Sequence, residues 1–122
     1  MRHVEIQNLT RPLAGPLRAA VAASFGAKLR GLMFRRTLGV GEGLLLAEPA
    51  ESRAGTSIHM FFMQFDLCVV WLDSDLVVVD RQIAQRWRSM LRPAKPARYV
   101  LECSPSRYAE FQIGDQIEFK DV

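Results

Sequence analysis

Three groups of residues in this chain carry side chains able to do chemistry. The first is His59, Met60 and Met63, with Cys68 close behind. Imidazole, thioether and thiolate are the ligands that a soft cation such as Cu(I) prefers. On a strand, however, His59 and Met63 share one face and Met60 points to the other, so the three do not converge. Methionine is also an adaptable core filler, and no CxxC, HExxH or paired-histidine spacing accompanies these residues. The sequence therefore implies no metal and no cofactor.

The second group is the cysteines, Cys68 and Cys103. A nucleophilic thiol needs a helix N-terminus or a nearby cation to lower its pKa. Cys103 precedes a helix start expected at Ser104, with Arg98 and Arg107 near it in sequence. Both cysteines lie in apolar runs, where a thiol ordinarily behaves as a small buried hydrophobe. A disulfide between them is the remaining option. His3 and His59 are the only histidines, and no Gly-x-Ser-x-Gly elbow or Ser/His/Asp set can be assembled. Asp73 and Asp75 sit in a turn, where Asp is favoured for its local hydrogen bonds. An enzyme of unassigned reaction would have to draw on Glu42, His59 and Cys68 near a pocket.

The third group runs from Arg86-Trp87-Arg88 to Arg98-Tyr99. Arginine offers forked donors for carboxylate or phosphate, and Trp87 and Tyr99 are flat surfaces for stacking. Arg35 and Arg36 join them if the element that they terminate packs over the same edge. The expected ligand surface is thus Arg35, Arg36, Trp87, Arg88 and Tyr99, facing an anionic small molecule or an acidic protein partner. The absence of an aromatic-basic RNA-recognition or cold-shock motif argues against nucleic acid. The competing reading is a solvated basic loop whose Trp87 folds back on the core.

Charge gives this group its weight. Sixteen bases against thirteen acids leave only +3 overall. Yet Ile6 to Gly41 holds six bases and no acid, and Arg81 to Leu101 holds six more and again no acid. The rest of the chain is acidic, so a basic surface patch is expected. At 122 residues, 49% of them hydrophobic, one domain over residues 1–122 can form a core without staples. Two cysteines make no disulfide framework. No apolar run approaches the ~18 residues of a membrane span, and no signal peptide opens the chain. A soluble cytoplasmic domain is the expectation.

The elements that must position these groups are mostly strands. His3 to Asn8, Leu17 to Ala23, Leu44 to Ala47, Leu67 to Leu72, Leu76 to Ile83, Arg98 to Cys103 and Gln116 to Lys120 read as strands. Leu67 to Leu72 is apolar on both faces, as a central strand would be. Asp73-Ser74-Asp75 predicts an antiparallel hairpin. Ser24 is a candidate N-cap for a helix over residues 25–34, with Phe25, Leu29, Leu32 and Met33 on one stripe. Ser104-Pro105 starts a second short helix to Phe111. Glu48 to Thr56 reads as a polar loop, and Gln85 to Ala97 as a loop long enough to suggest function. The fold class is mainly β: a compact antiparallel sandwich or barrel-like sheet with two short helices.

Several runs, taken together, resemble the bacterial and archaeal family known as domain of unknown function 192. They are Gly31-Leu32-Met33-Phe34-Arg35, Gly41-Glu42-Gly43-Leu44, Ile58-His59-Met60-Phe61-Phe62-Met63, Val69-Val70-Trp71-Leu72-Asp73, Trp87-Arg88, Tyr99-Val100-Leu101-Glu102 and Gly114-Asp115. The resemblance covers Leu17 to Phe119 and implies a compact, mainly β domain, without a settled activity. It also marks a departure, because the family's usually acidic position before the central strand falls here on Cys68.

Overall fold

The computed structural model describes residues 2–23, 32, 35–87 and 90–122. Within them seven strands form one sheet: β1 (His3–Asn8), β2 (Arg18–Ala22), β3 (Glu42–Ser52), β4 (Leu67–Leu72), β5 (Val78–Ala84), β6 (Ala97–Cys103) and β7 (Ile117–Asp121). Their order across the sheet is β5-β4-β6-β3-β2-β1-β7. A 3-10 helix, Pro105–Glu110, follows β6. β1 and β4 have the bounds that their patterning predicts, and β4 is buried along its whole length.

The sheet curls into a half-barrel because its two edges approach each other. Val77 bridges Gln116, the Val78 amide donates to Asp115 O (2.9 Å), and the Ile117 amide donates to Leu76 O (2.9 Å). Residues from every strand then meet inside the curl, among them Val4, Ile6, Leu17, Leu45, Val70, Val78, Leu101 and Ile117, with Phe111 from beside the 3-10 helix. The other face of the sheet carries a second cluster of Leu44, Val69, Trp71 and Val100. Ile58, Met60 and Met63 cover it from the connection between β3 and β4. Both faces of the central strands are therefore buried, which is why Leu67–Leu72 shows no alternation.

Two differences from the expected elements have physical causes. The sheet is mixed: β2 and β3 pair in parallel while the other pairs are antiparallel. A parallel pair needs a crossover connection rather than a hairpin. Second, β3 runs on to Ser52 through the expected polar loop, by means of a register shift between Ala47 and Ser52. Such an irregularity tolerates Pro49, which has no amide to give the ladder. The helix expected from residue 25 to 34, with its cap at Ser24, lies outside the described residues. Leu32 is the exception and is buried in the second cluster. The C-terminal helix is present as a 3-10 helix, with Pro105 opening it and the Ser104 hydroxyl accepting from the Ser106 amide (3.4 Å).

The Gly114-Asp115 turn locks the C-terminal strand. Asp115 is buried, and its carboxylate accepts from Arg11 Nε (2.8 Å) and Nη2 (2.9 Å), Asn8 Nδ2 (2.8 Å) and the Gln112 amide (2.9 Å). Hydrogen bonding from Arg11, opposed by burial, holds its pKa at about 2. A carboxylate so depressed stabilises the fold above its ordinary range and loses that contribution as pH falls toward 2. Between pH 5 and pH 2 the natural chain is expected to lose about 1–2 kcal/mol more than Asp115→Asn does. That is less than the full shift implies, because Arg11 is half in water. Urea unfolding at several pH values measures the difference, and parallel acid limbs would show that the carboxylate is not so held.

Candidate functional site

Strand register sorts the expected site residues by position. Leu67 pairs with Ala84, Cys68 with Cys103, and Gly43 with Cys103. The start of β4, the end of β5, the end of β6 and the start of β3 therefore share one end of the sheet. Trp87 lies three residues beyond Ala84 at that end. Arg35 is there too, its Nη2 donating to Glu42 Oε2 (3.1 Å), with the exposed Arg36 beside it. β3 and β5 are three strand spacings apart, about 14 Å. Tyr99 does not join them, since it pairs with Leu72 at the far end of β4, roughly 16 Å away along the strand. There it packs edge-on against Phe119 (5.4 Å) inside the curl. Trp87 and Tyr99 therefore do not stack one ligand. Arg88 lies outside the described residues.

The described residues of the long loop after β5 are pinned rather than loose. The Ile58 and Leu91 amides exchange hydrogen bonds (2.9 and 2.7 Å), and the Trp87 amide donates to Met60 O (3.0 Å). Asp66 accepts from the Arg86 amide (2.9 Å), and Asp80 from the Ala94 amide (2.8 Å). The partner segment is a turn: the Met63 amide donates to Met60 O (3.3 Å), and both methionines are buried in the second cluster. This corrects the strand geometry expected for His59, Met60 and Met63.

The turn lifts Phe61 and Phe62 into solvent, where they are 48% and 45% exposed beside Trp87 at 56%. Phe62 and Trp87 meet edge to face, with ring centroids 5.3 Å apart. Both have left-handed backbone, φ 64° and 61°, which disfavours bulky residues and costs of order 1 kcal/mol each. Phe61 also stacks on the His59 ring at 5.8 Å. His59 Nδ1 is buried and has no hydrogen-bond partner among the described residues.

The candidate enzyme residues are kept apart. Glu42 is exposed and caps its own loop, accepting from the Gly39 amide (2.8 Å) as well as from Arg35. These bonds hold its pKa below the usual range. Cys68 is sealed inside the curl, opposite the face that Met60 and Met63 cover. That separation also divides the soft-metal set, and no group of three or more His, Cys, Asp or Glu among the described residues is placed to hold a metal. An open cleft of about 290 Å³, with Glu5, Gln7, Pro12, Leu13 and Pro16 among its lining, contains none of the expected residues.

One acid escaped the sequence reading. Glu102 is only 6% exposed and stands between Leu44 and Val69 on neighbouring strands. Burial pushes its pKa up to about 7. A sequence signal existed, since a period of two places Glu102 on the same face as the buried Val100.

The sequence matches the profile of DUF192, described as an uncharacterized ACR, over residues 8–119. A UPF0127 protein of Thermococcus kodakarensis is 40% identical, with 93% of this chain and 72% of that protein covered. One from Thermococcus gammatolerans is 45% identical over 67% of this chain, a match spanning about half (52%) of the relative's length. Among solved structures, a protein of Sinorhizobium meliloti provisionally described as a transcription regulator superposes with a TM-score of 0.83. It is 19% identical, with 97% of this chain and 92% of that one covered, a likeness of fold. No helix among the described residues is long and apolar enough to cross a membrane.

Proposed function

The chain belongs to DUF192, a family of uncharacterised proteins, and from that premise we propose that it is a single-domain cytoplasmic binding module for an acidic protein segment. The observation that carries this reading is the pair Phe62 and Trp87, each in left-handed backbone, held edge to face and half exposed. Strained, exposed aromatics cluster at binding sites. The flanking charge selects the partner's sign. Arg86 beside Trp87, and Arg36 at the same end of the sheet, are exposed and form no ion pair with a carboxylate among the described residues. Unpaired bases at the same end of the sheet as an aromatic pair suit an acidic, partly apolar segment. An enzymatic reading gains no support from the separation of Glu42, His59 and Cys68.

Trp71 is wholly buried and Trp87 exposed, so a change in exposed tryptophan fluorescence reports on the site. Titration with a peptide alternating Glu and Leu is expected to shift that emission, with affinity falling as salt rises. Trp87→Ala lacks that reporter, so the variants are compared by the anisotropy of a dye-labelled peptide: Trp87→Ala should weaken binding by about tenfold or more, as loss of an aromatic anchor does, and Arg86→Ala by a few-fold, while melting temperatures stay close to that of the natural chain. Equal response to inorganic phosphate alone would replace the protein segment by a small anion. Absence of binding, or unfolding of both variants, would make the loop structural and end the proposal.

A further inference from the structure

We infer that Cys68 and Cys103 are a modification site, a dithiol that oxidises reversibly to an intramolecular disulfide across the sheet. The chain has two cysteines, and the fold sets them directly opposite each other on β4 and β6. Facing residues of an antiparallel pair have Cα atoms about 4.5–5.5 Å apart, inside the range of about 4.4–6.8 Å that a disulfide spans. Both side chains point into the curl, and both are free thiols. The bond thus requires side-chain rotation and no rearrangement of the strands.

The position of the pair makes the reaction conditional. Both thiols are fully buried, and the Cys103 thiol is pushed up by its hydrogen bond with Cys68 and by burial. In the closed sheet Cys103 is not a ready nucleophile, because the thiolate is the reacting form, and burial shields Cys68 from any reagent. The pair nevertheless lies on a terminal rung, Cys68 being the second residue of β4 and Cys103 the last of β6. The neighbour of Cys68 on β5 is Ile83, which is 41% exposed. Local fraying of this end is enough to admit an oxidant, without global unfolding.

A low-molecular-weight disulfide such as oxidised glutathione supplies the balance. The thiolate of one cysteine attacks it, forming a mixed disulfide and releasing one glutathione thiolate. The second cysteine, deprotonated, then attacks the protein sulfur of the mixed disulfide and releases the second glutathione. The protein gives up two protons and two electrons, and the oxidant becomes two thiols. The resulting bond ties β4 to β6 at the end of the sheet from which the loop to Trp87 departs, and it suppresses the fraying that admitted the reagent.

The natural chain, kept native with oxidised glutathione, then acid-quenched and alkylated in denaturant, tests this. The expected product has lost two hydrogens in mass, accepts no alkylating reagent, and yields a Cys68–Cys103 linked peptide that disappears on reduction. Its melting temperature rises relative to the reduced chain. Cys68→Ser should instead accumulate a stable glutathione adduct on Cys103. Retention of both alkylatable thiols, or linkage only between chains, would overturn the proposal.

Discussion

Between pH 4 and pH 8 the stability of Glu102→Gln relative to the natural chain is expected to rise by about 3 kcal/mol. Glu102 is flanked by Leu44 and Val69 in the sheet, and no described residue gives it a hydrogen bond or an ion pair. Burial raises its pKa from 4.5 to about 7. At low pH the group is neutral in both the folded and unfolded chain. From about pH 4.5 upward the unfolded chain releases this proton while the folded chain keeps it, so stability falls. The loss is complete once pH passes the folded value near 7, and it is worth about 1.4 kcal/mol per pH unit of separation. Glutamine does not titrate, so any fixed cost of burying its amide cancels when the two pH values are compared. Paired urea titrations read the change directly. A difference that stays flat across this window would mean that a cation meets the carboxylate in the folded protein. The titration also places an acid that changes charge near neutral pH on the face covered by the turn that bears Phe61 and Phe62.

What the sequence could reveal follows from the range of each interaction. β4 is legible because six consecutive apolar residues have no other home than the middle of a sheet, and the 3-10 helix because Ser104 and Pro105 are local signals. The parallel pairing of β2 and β3 is not legible, since it depends on partners some twenty residues apart that no local pattern names. Trp87 stands out by composition in a basic loop. Phe61 and Phe62 do not, because an apolar run reads as core. Their exposure depends on left-handed backbone at Phe62 and Trp87, where no glycine or asparagine announces it. Closeness in sequence groups Tyr99 with Trp87, yet β6 carries it to the other end of the sheet. Glu102 and Arg107 were hidden by the opposite prior: charged residues read as surface until the structure shows them inside.

Arg107→Met is expected to lower the unfolding free energy by about 3–5 kcal/mol, the cost of removing one partner from a buried ionic cluster. Arg107 is 1% exposed. Its Nη1 donates to Pro16 O (3.2 Å) and Val40 O (2.8 Å), and its Nη2 to Gly15 O (2.6 Å) and Glu110 Oε1 (3.2 Å). One side chain thereby joins the loop between β1 and β2 and the loop before β3 to the 3-10 helix. Only a planar, forked cation can meet that many acceptors at once. Methionine fills similar space but leaves three carbonyls without their donor, each with a desolvation penalty, and a largely buried carboxylate with the Ala14 amide (2.8 Å) but no cation. Arg107→Lys keeps the charge and loses the fork, so its loss should be intermediate. It tests the claim even if the methionine variant does not fold. Hydrogen exchange localises the effect: the Arg18 amide, which donates to Gly41 O (2.9 Å), should exchange faster in the lysine variant than in the natural chain. If both variants unfold at the natural urea midpoint, the loops are held by their backbone bonds alone and the buried arginine is dispensable.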